Sequence, residues 1–143
     1  MLKGISPMLS PELLKILMEM GHGDEIVLAD CNFPAASHAA RLVRADGHSI
    51  PELLEAILKL FPLDQYVACP AALMDRVAGD TIPTPIWATY RTIIDREDAS
   101  EAAIEMLERF EFYERAKRAY AIVATGERAQ YANIILKKGV IKQ

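Results

Sequence analysis

The chain has 143 residues, 52% of them hydrophobic and 25% charged, and carries a net charge of −4. That length fits one domain of roughly 100–150 residues, and the apolar content is too high for a disordered chain. Like charges adjoin only in short pairs such as Lys137-Lys138, so there is no basic stripe for nucleic acid, and no apolar run approaches the ~18 residues of a membrane span.

The opening Met1-Leu2-Lys3-Gly4 has neither the apolar stretch nor the cleavage site of a signal peptide. Cys31 and Cys69 are too few for a disulfide framework. Both features predict a cytoplasmic protein.

Ser10, Pro11 and Glu12 predict the start of a helix, with Leu13, Leu14, Leu17 and Met20 on its apolar face and Gly21 as its stop. Residues 25–30, Glu-Ile-Val-Leu-Ala-Asp, predict a buried strand with Asp30 at its C-terminal end, where open α/β sheets bind ligands. Residues 31–38 are expected to be a loop, and residues 41–45 a strand ended by the Asp46-Gly47 turn. Ser49 and Glu52 form a capping box ahead of a second helix that runs through Phe61.

Residues 66–74 predict a strand region interrupted by Pro70, and Thr84-Pro85 opens a helix through Trp87, Tyr90, Ile93 and Ile94. Residues 101–118 fit one long helix by composition, or a strand at 104–108 and a helix from about 110 to 118; the split is preferred. Strands at 120–124 and 132–136 flank a Thr125-Gly126-Glu127 turn. Alternating helices and strands define an α/β domain.

Among residues that carry chemistry, His22 lies between Gly21 and Gly23 at a helix C-terminus, where carbonyl groups favour an imidazolium and the glycines leave the ring accessible for proton transfer. Taken alone, a solvated histidine closing the helix is the simpler account. Asp30 fits a ligand contact or a turn cap equally well. Arg109, Tyr113 and the Tyr131-Ala132-Asn133 triplet offer the directional hydrogen bonds that hydroxyl groups need, although each residue also has a plain structural use. His22, His38, His48, Asp24 and Asp30 show no metal-ligand spacing, Cys31 and Cys69 read as small buried residues, and no phosphate-binding glycine loop is present.

Several segments in order carry a resemblance: residues 21–30 (Gly-His-Gly-Asp-Glu-Ile-Val-Leu-Ala-Asp), Asn32-Phe33-Pro34, Arg44-Ala45-Asp46-Gly47, Pro62-Leu63-Asp64, residues 109–116 (Arg-Phe-Glu-Phe-Tyr-Glu-Arg-Ala), residues 124–127 (Ala-Thr-Gly-Glu) and Tyr131-Ala132-Asn133-Ile134. Over nearly its whole length the chain resembles the L-fucose mutarotase family. The related D-ribose pyranase family shares the Gly-His and Tyr-Ala-Asn elements.

The resemblance implies a mixed sheet flanked by helices and a ring-shaped homo-oligomer, a decamer of two pentamers, with the sugar near a subunit boundary. It implies His22 as catalytic acid/base and Tyr113 as a second catalytic group. Asp30, Tyr131 and Asn133 would surround the sugar, with Asp64, Met74 and Arg109 as further substrate contacts, and no cofactor or metal would be needed. A ribose-specific enzyme, a non-catalytic sugar-binding subunit and a purely structural oligomer are the competing readings.

Overall fold

The computed structural model describes residues 1–98 and 100–143. Helices and strands alternate along them: α1 (Pro11–Glu19), β1 (Glu25–Ala29), α2 (Ala35–His38), β2 (Leu42–Ala45), α3 (Ile50–Leu58), β3 (Ala71–Met74), α4 (Pro85–Glu97), β4 (Ile104–Leu107), α5 (Arg109–Arg118), β5 (Ala121–Thr125) and β6 (Ile134–Lys137). The strands form one sheet in the order β2-β5-β1-β6-β3-β4. β1 pairs parallel with β5 and β5 with β2, while β3 pairs parallel with β4. β6 is antiparallel to both β1 and β3, so a single reversed strand joins two parallel groups that share one direction.

Successive side chains on a strand point to opposite faces, and β1 buries both. Ile26 and Leu28 pack with Leu13 of α1, Leu53 of α3 and Ile94 of α4, whereas Val27 and Ala29 pack with Phe112 and Ala116 of α5. This two-sided burial explains why the strand reads as a continuous apolar run. Phe112 is fully buried, which contributes about 2–3 kcal/mol relative to exposure. Across the same face the Arg115 guanidinium hydrogen-bonds Glu25 at 2.6 and 3.0 Å and also pairs with Glu105, tying α5 to β1 and β4.

The predicted signals act where expected in most places. The Ser10 hydroxyl accepts the Leu13 N–H at 3.1 Å, and the Glu52 carboxylate accepts the Ser49 N–H and hydroxyl at 3.1 and 2.8 Å. The split of residues 101–118 into a strand and a helix holds.

Other boundaries differ, each for a local reason. Residues 35–38 form a helical turn rather than loop. The strand of the 66–74 region starts only after Pro70, whose carbonyl accepts the Lys137 N–H. α3 ends at Leu58, short of Phe61, and Thr125 belongs to β5. α1 stops at Glu19 without a left-handed glycine; the Lys138 ammonium instead donates to the Leu17 and Met20 carbonyls at 2.7 and 2.6 Å. The left-handed residue of that turn is Gly23, at φ 88°.

Candidate active site

The parallel strands all end on one edge of the sheet, and β6 begins there. Around that edge Asp30, Met74, Arg109, Tyr113, Tyr131 and Asn133 line a cleft of about 240 Å³. Six of the eight sequence-predicted site residues therefore meet.

Asp30 follows β1 directly and is 7% exposed. Its backbone N–H donates to the Asn133 Oδ1 at 2.7 Å, which locks the end of β1 to the start of β6. Asn133 itself lines the cleft beside Asp30. Burial pushes the Asp30 carboxyl above the ordinary carboxylate range, against the N–H groups of Asn32, Ala132 and Phe33 that pull it down; the Glu127 charge adds to the rise.

Arg109 opens α5, where it is exposed and its guanidinium lies over the Phe110 ring, 4.6 Å from its centroid. Tyr113, one helical turn on, packs edge-on against Phe33 and His38 at centroid distances of 5.4 and 5.5 Å. Met74 closes β3 and supplies an apolar wall. Tyr131 has φ 56°, a left-handed backbone that a residue with a β-carbon rarely adopts. Its carbonyl accepts the Trp87 indole N–H at 2.7 Å, and the next carbonyl, of Ala132, accepts the Tyr90 hydroxyl at 2.7 Å. Its hydroxyl donates to Asp80 at 2.5 Å.

His22 and Asp64 lie at the opposite edge. His22 precedes β1 and Asp30 follows it, and at roughly 3.3 Å per residue the strand alone separates them by about 13 Å. The Gly21 N–H donates to the Asp24 carboxylate at 2.7 Å and the Gly23 N–H to the Lys138 carbonyl at 2.8 Å, closing the turn that carries the histidine. His22 therefore does not serve the α1 terminus, where Lys138 supplies the cation. Its Nε2 lies 3.0 Å from the Asp64 Oδ1, and its ring stands 5.4 Å from that of Tyr66.

The Asp64 side chain is 3% exposed, against 46% for His22. Burial opposes ionisation of Asp64, but the Tyr66 N–H, the His22 ring and the Lys137 charge outweigh it and hold the carboxyl below its ordinary range. A buried carboxylate on Nε2 of a half-exposed imidazole fixes the ring and leaves its other nitrogen, Nδ1, for proton transfer.

Sequence reasoning missed Phe33, Val77 and Gln130 as parts of the cleft, and Asp80 and Trp87, which hold Tyr131 from outside its lining. It also missed two glycines that let backbones touch. A β-carbon on Gly139 would sit 2.4 Å from the Leu63 carbonyl oxygen and 2.8 Å from the Asp64 Cα, and one on Gly126 would meet the Asp46 carbonyl. Of these, only the aromatic spacing in α4 carried a signal, and it read as core.

The cleft offers a carboxylate, an amide, a guanidinium, two phenols and an apolar wall, a set suited to a small polyhydroxylated ligand. Such an α/β chain with a polyol cleft at the strand ends has a matching family model, the RbsD / FucU transport protein family, over residues 3–141. The chain belongs to that family. It is 56% identical to the human protein named fucose mutarotase, over 98% of this chain and 94% of that one. It is also similar to the crystal structure of the fucose mutarotase in complex with L-fucose from Streptococcus pneumoniae, at 59% identity and a TM-score of 0.92, covering 99% of this chain and 100% of that one. Bacillus subtilis RbsD complexed with D-ribose shares the fold at 24% identity and a TM-score of 0.79, over 99% and 100% of the two chains.

Proposed function

We propose that this protein is an isomerase that interconverts the α and β anomers of L-fucose by acid/base-catalysed opening and closing of the sugar ring. The observation that carries the reading is the convergence of Asp30, Met74, Arg109, Tyr113, Tyr131 and Asn133 on one cleft, in a chain 59% identical to a fucose mutarotase solved with L-fucose.

Ring opening moves two protons. The anomeric hydroxyl gives up its proton as the C1 carbonyl forms, the bond from C1 to the ring oxygen breaks, and the ring oxygen takes a proton. Rotation about the bond to C1 turns the other carbonyl face toward the oxygen, and reclosure reverses both transfers. His22 donates to the ring oxygen and takes that proton back, with Asp64 holding the imidazole. Tyr113, or a water, relays the anomeric proton: the oxygen that accepts it passes its own proton on to solvent. Asp30, Asn133, Tyr131 and Arg109 hold the remaining hydroxyls, and Met74 faces the methyl group of the sugar. General acid–base catalysis of this kind contributes roughly 100- to 10,000-fold. Because nothing is oxidised and no group is transferred, these side chains and water supply every step.

The two ends of the sheet need each other. One chain contributes the cleft and its neighbour contributes the His22–Asp64 pair, so the site is completed at a subunit boundary. Exposed apolar residues support such a contact: Tyr66 beside His22, and Val77 and Phe110 beside the cleft. Joining unlike surfaces head to tail closes into a ring when the rotation permits, which is the basis for a pentameric ring and its pairing into a decamer. Cys31 and Cys69 are both free thiols, and among the described residues no helix is long and apolar enough to cross a membrane; the cysteines suit a cytoplasmic setting.

The test is NMR saturation transfer between the anomers of L-fucose, with catalytic amounts of protein, repeated with D-ribose. Exchange accelerated for fucose supports the reading. Acceleration confined to ribose moves the activity to pyranose–furanose interconversion, and acceleration of neither sugar by the folded oligomer removes it.

A further inference from the structure

We propose that Asp80 is a positioning residue for the cleft: it holds the hydroxyl proton of Tyr131, so that this phenol meets the ligand only as an acceptor, from a sugar hydroxyl that must donate. The inference rests on the reading of the cleft as a monosaccharide site.

A phenol carries one proton and two acceptor positions. The Tyr131 proton goes to the Asp80 Oδ2 at 2.5 Å, and the Val77 N–H donates to the same phenol oxygen at 3.4 Å. One acceptor position is left facing the cleft, and no proton. Asp80 is itself fixed, since its Oδ1 accepts the Ile82 N–H at 2.9 Å and its own N–H donates to the Val77 carbonyl at 3.0 Å. Gly79, at φ 85°, permits that turn.

The Tyr131 backbone is held as firmly, in its left-handed conformation, by the Trp87 indole. Hydroxyl and backbone are thus each anchored from the segment between β3 and α4 or from α4 itself, 44 to 54 residues away in sequence. An orienter that already owns the phenolic proton makes the site discriminate between a hydroxyl and an acceptor-only group at one sugar position, because a buried polar atom without its partner weakens binding sharply. A simple tie between loop and strand would stabilise the fold without setting that preference.

The experiment uses the full-length oligomer and measures binding of L-fucose and its 2-, 3- and 4-monofluoro analogues by calorimetry. Fluorine accepts but cannot donate. Wild-type protein is expected to bind one analogue about tenfold more weakly than fucose, and Tyr131→Phe identifies that position by losing the discrimination. In Asp80→Ala the freed phenolic proton turns to the ligand, so the discrimination falls to about twofold or less while fucose itself binds more weakly. Asp80→Asn, which keeps the shape of the side chain, controls for a loosened loop. Discrimination unchanged from wild type in both Asp80 variants overturns the proposal. Binding is read apart from turnover: fucose bound without faster anomer exchange sinks the mutarotase reading while the fluorine ratio still decides the role of Asp80. Absence of any monosaccharide binding overturns both.

Discussion

The His22 imidazole and the Asp64 carboxylate, 42 residues apart in sequence, meet at 3.0 Å with the acid buried and the base half exposed. The pair converts a surface histidine into an oriented one. Asp64→Asn keeps the side-chain shape and removes the charge, and it is expected to lower kcat about tenfold or more, with a smaller change in KM, in the fucose anomer-exchange assay. Stability follows the sign of the shift. A carboxyl held below its ordinary 3.8 contributes stability above that value and loses it as pH falls through the lower folded-state value. The wild type should therefore lose more stability than Asp64→Asn when acid unfolding is followed below pH 3.8.

Gly139 governs the same pair from behind. Its N–H donates to the Pro62 carbonyl at 2.8 Å, and its missing side chain lets the Leu63-Asp64 backbone lie against it. Gly139→Ala has no room, because the Leu63 and Asp64 backbone stands in the way together with the Gln65 side chain, and only the latter can swing aside. The expected cost is about 2 kcal/mol in thermal or denaturant unfolding, together with reduced kcat as Asp64 is pushed off the imidazole.

Asp30 shows the opposite linkage. Its carboxyl is held above the ordinary range chiefly by burial, so the folded state resists its ionisation. That penalty is fully present above the raised folded-state value and disappears as pH falls to 3.8. Asp30→Asn should raise the melting temperature by a few degrees at pH 7, an advantage that vanishes in acid. The same variant loses the charged acceptor in the cleft and should bind L-fucose about tenfold more weakly, as measured by calorimetry. A site residue that lowers stability while serving the ligand is the expected trade.

Much of the frame was legible because local chemistry dictates it. The Ser10 cap and the Ser49–Glu52 box act through neighbours a few residues away, and the run from Ile26 to Ala29 announces its two-sided burial by its own apolar composition. The two-ended arrangement of the site was also implied, since His22 stands before a strand and Asp30 after it. Other features depend on partners that sequence spacing does not bring together. Gly21 looks like the helix stop, but the residue that satisfies the helix end is Lys138, 118 to 121 positions on. The reversed strand β6 between two parallel groups, the grip of Trp87 and Asp80 on Tyr131, and the close approaches at Gly126 and Gly139 all arise from tertiary placement. Residues 35–38 became helical although they follow a proline in a segment with no periodic face to announce them.

The central claim is that one catalytic site is built from the His22 end of one chain and the cleft of its neighbour. Co-refolding His22→Ala with Asn133→Ala, each inactive alone, tests it directly in the fucose anomer-exchange assay. In mixed rings about a quarter of the boundaries pair an intact His22 with an intact cleft, because each half is contributed independently, so the account predicts recovery of about a quarter of wild-type activity. Mixed oligomers, verified by mass, that show no more activity than either variant alone would contradict it.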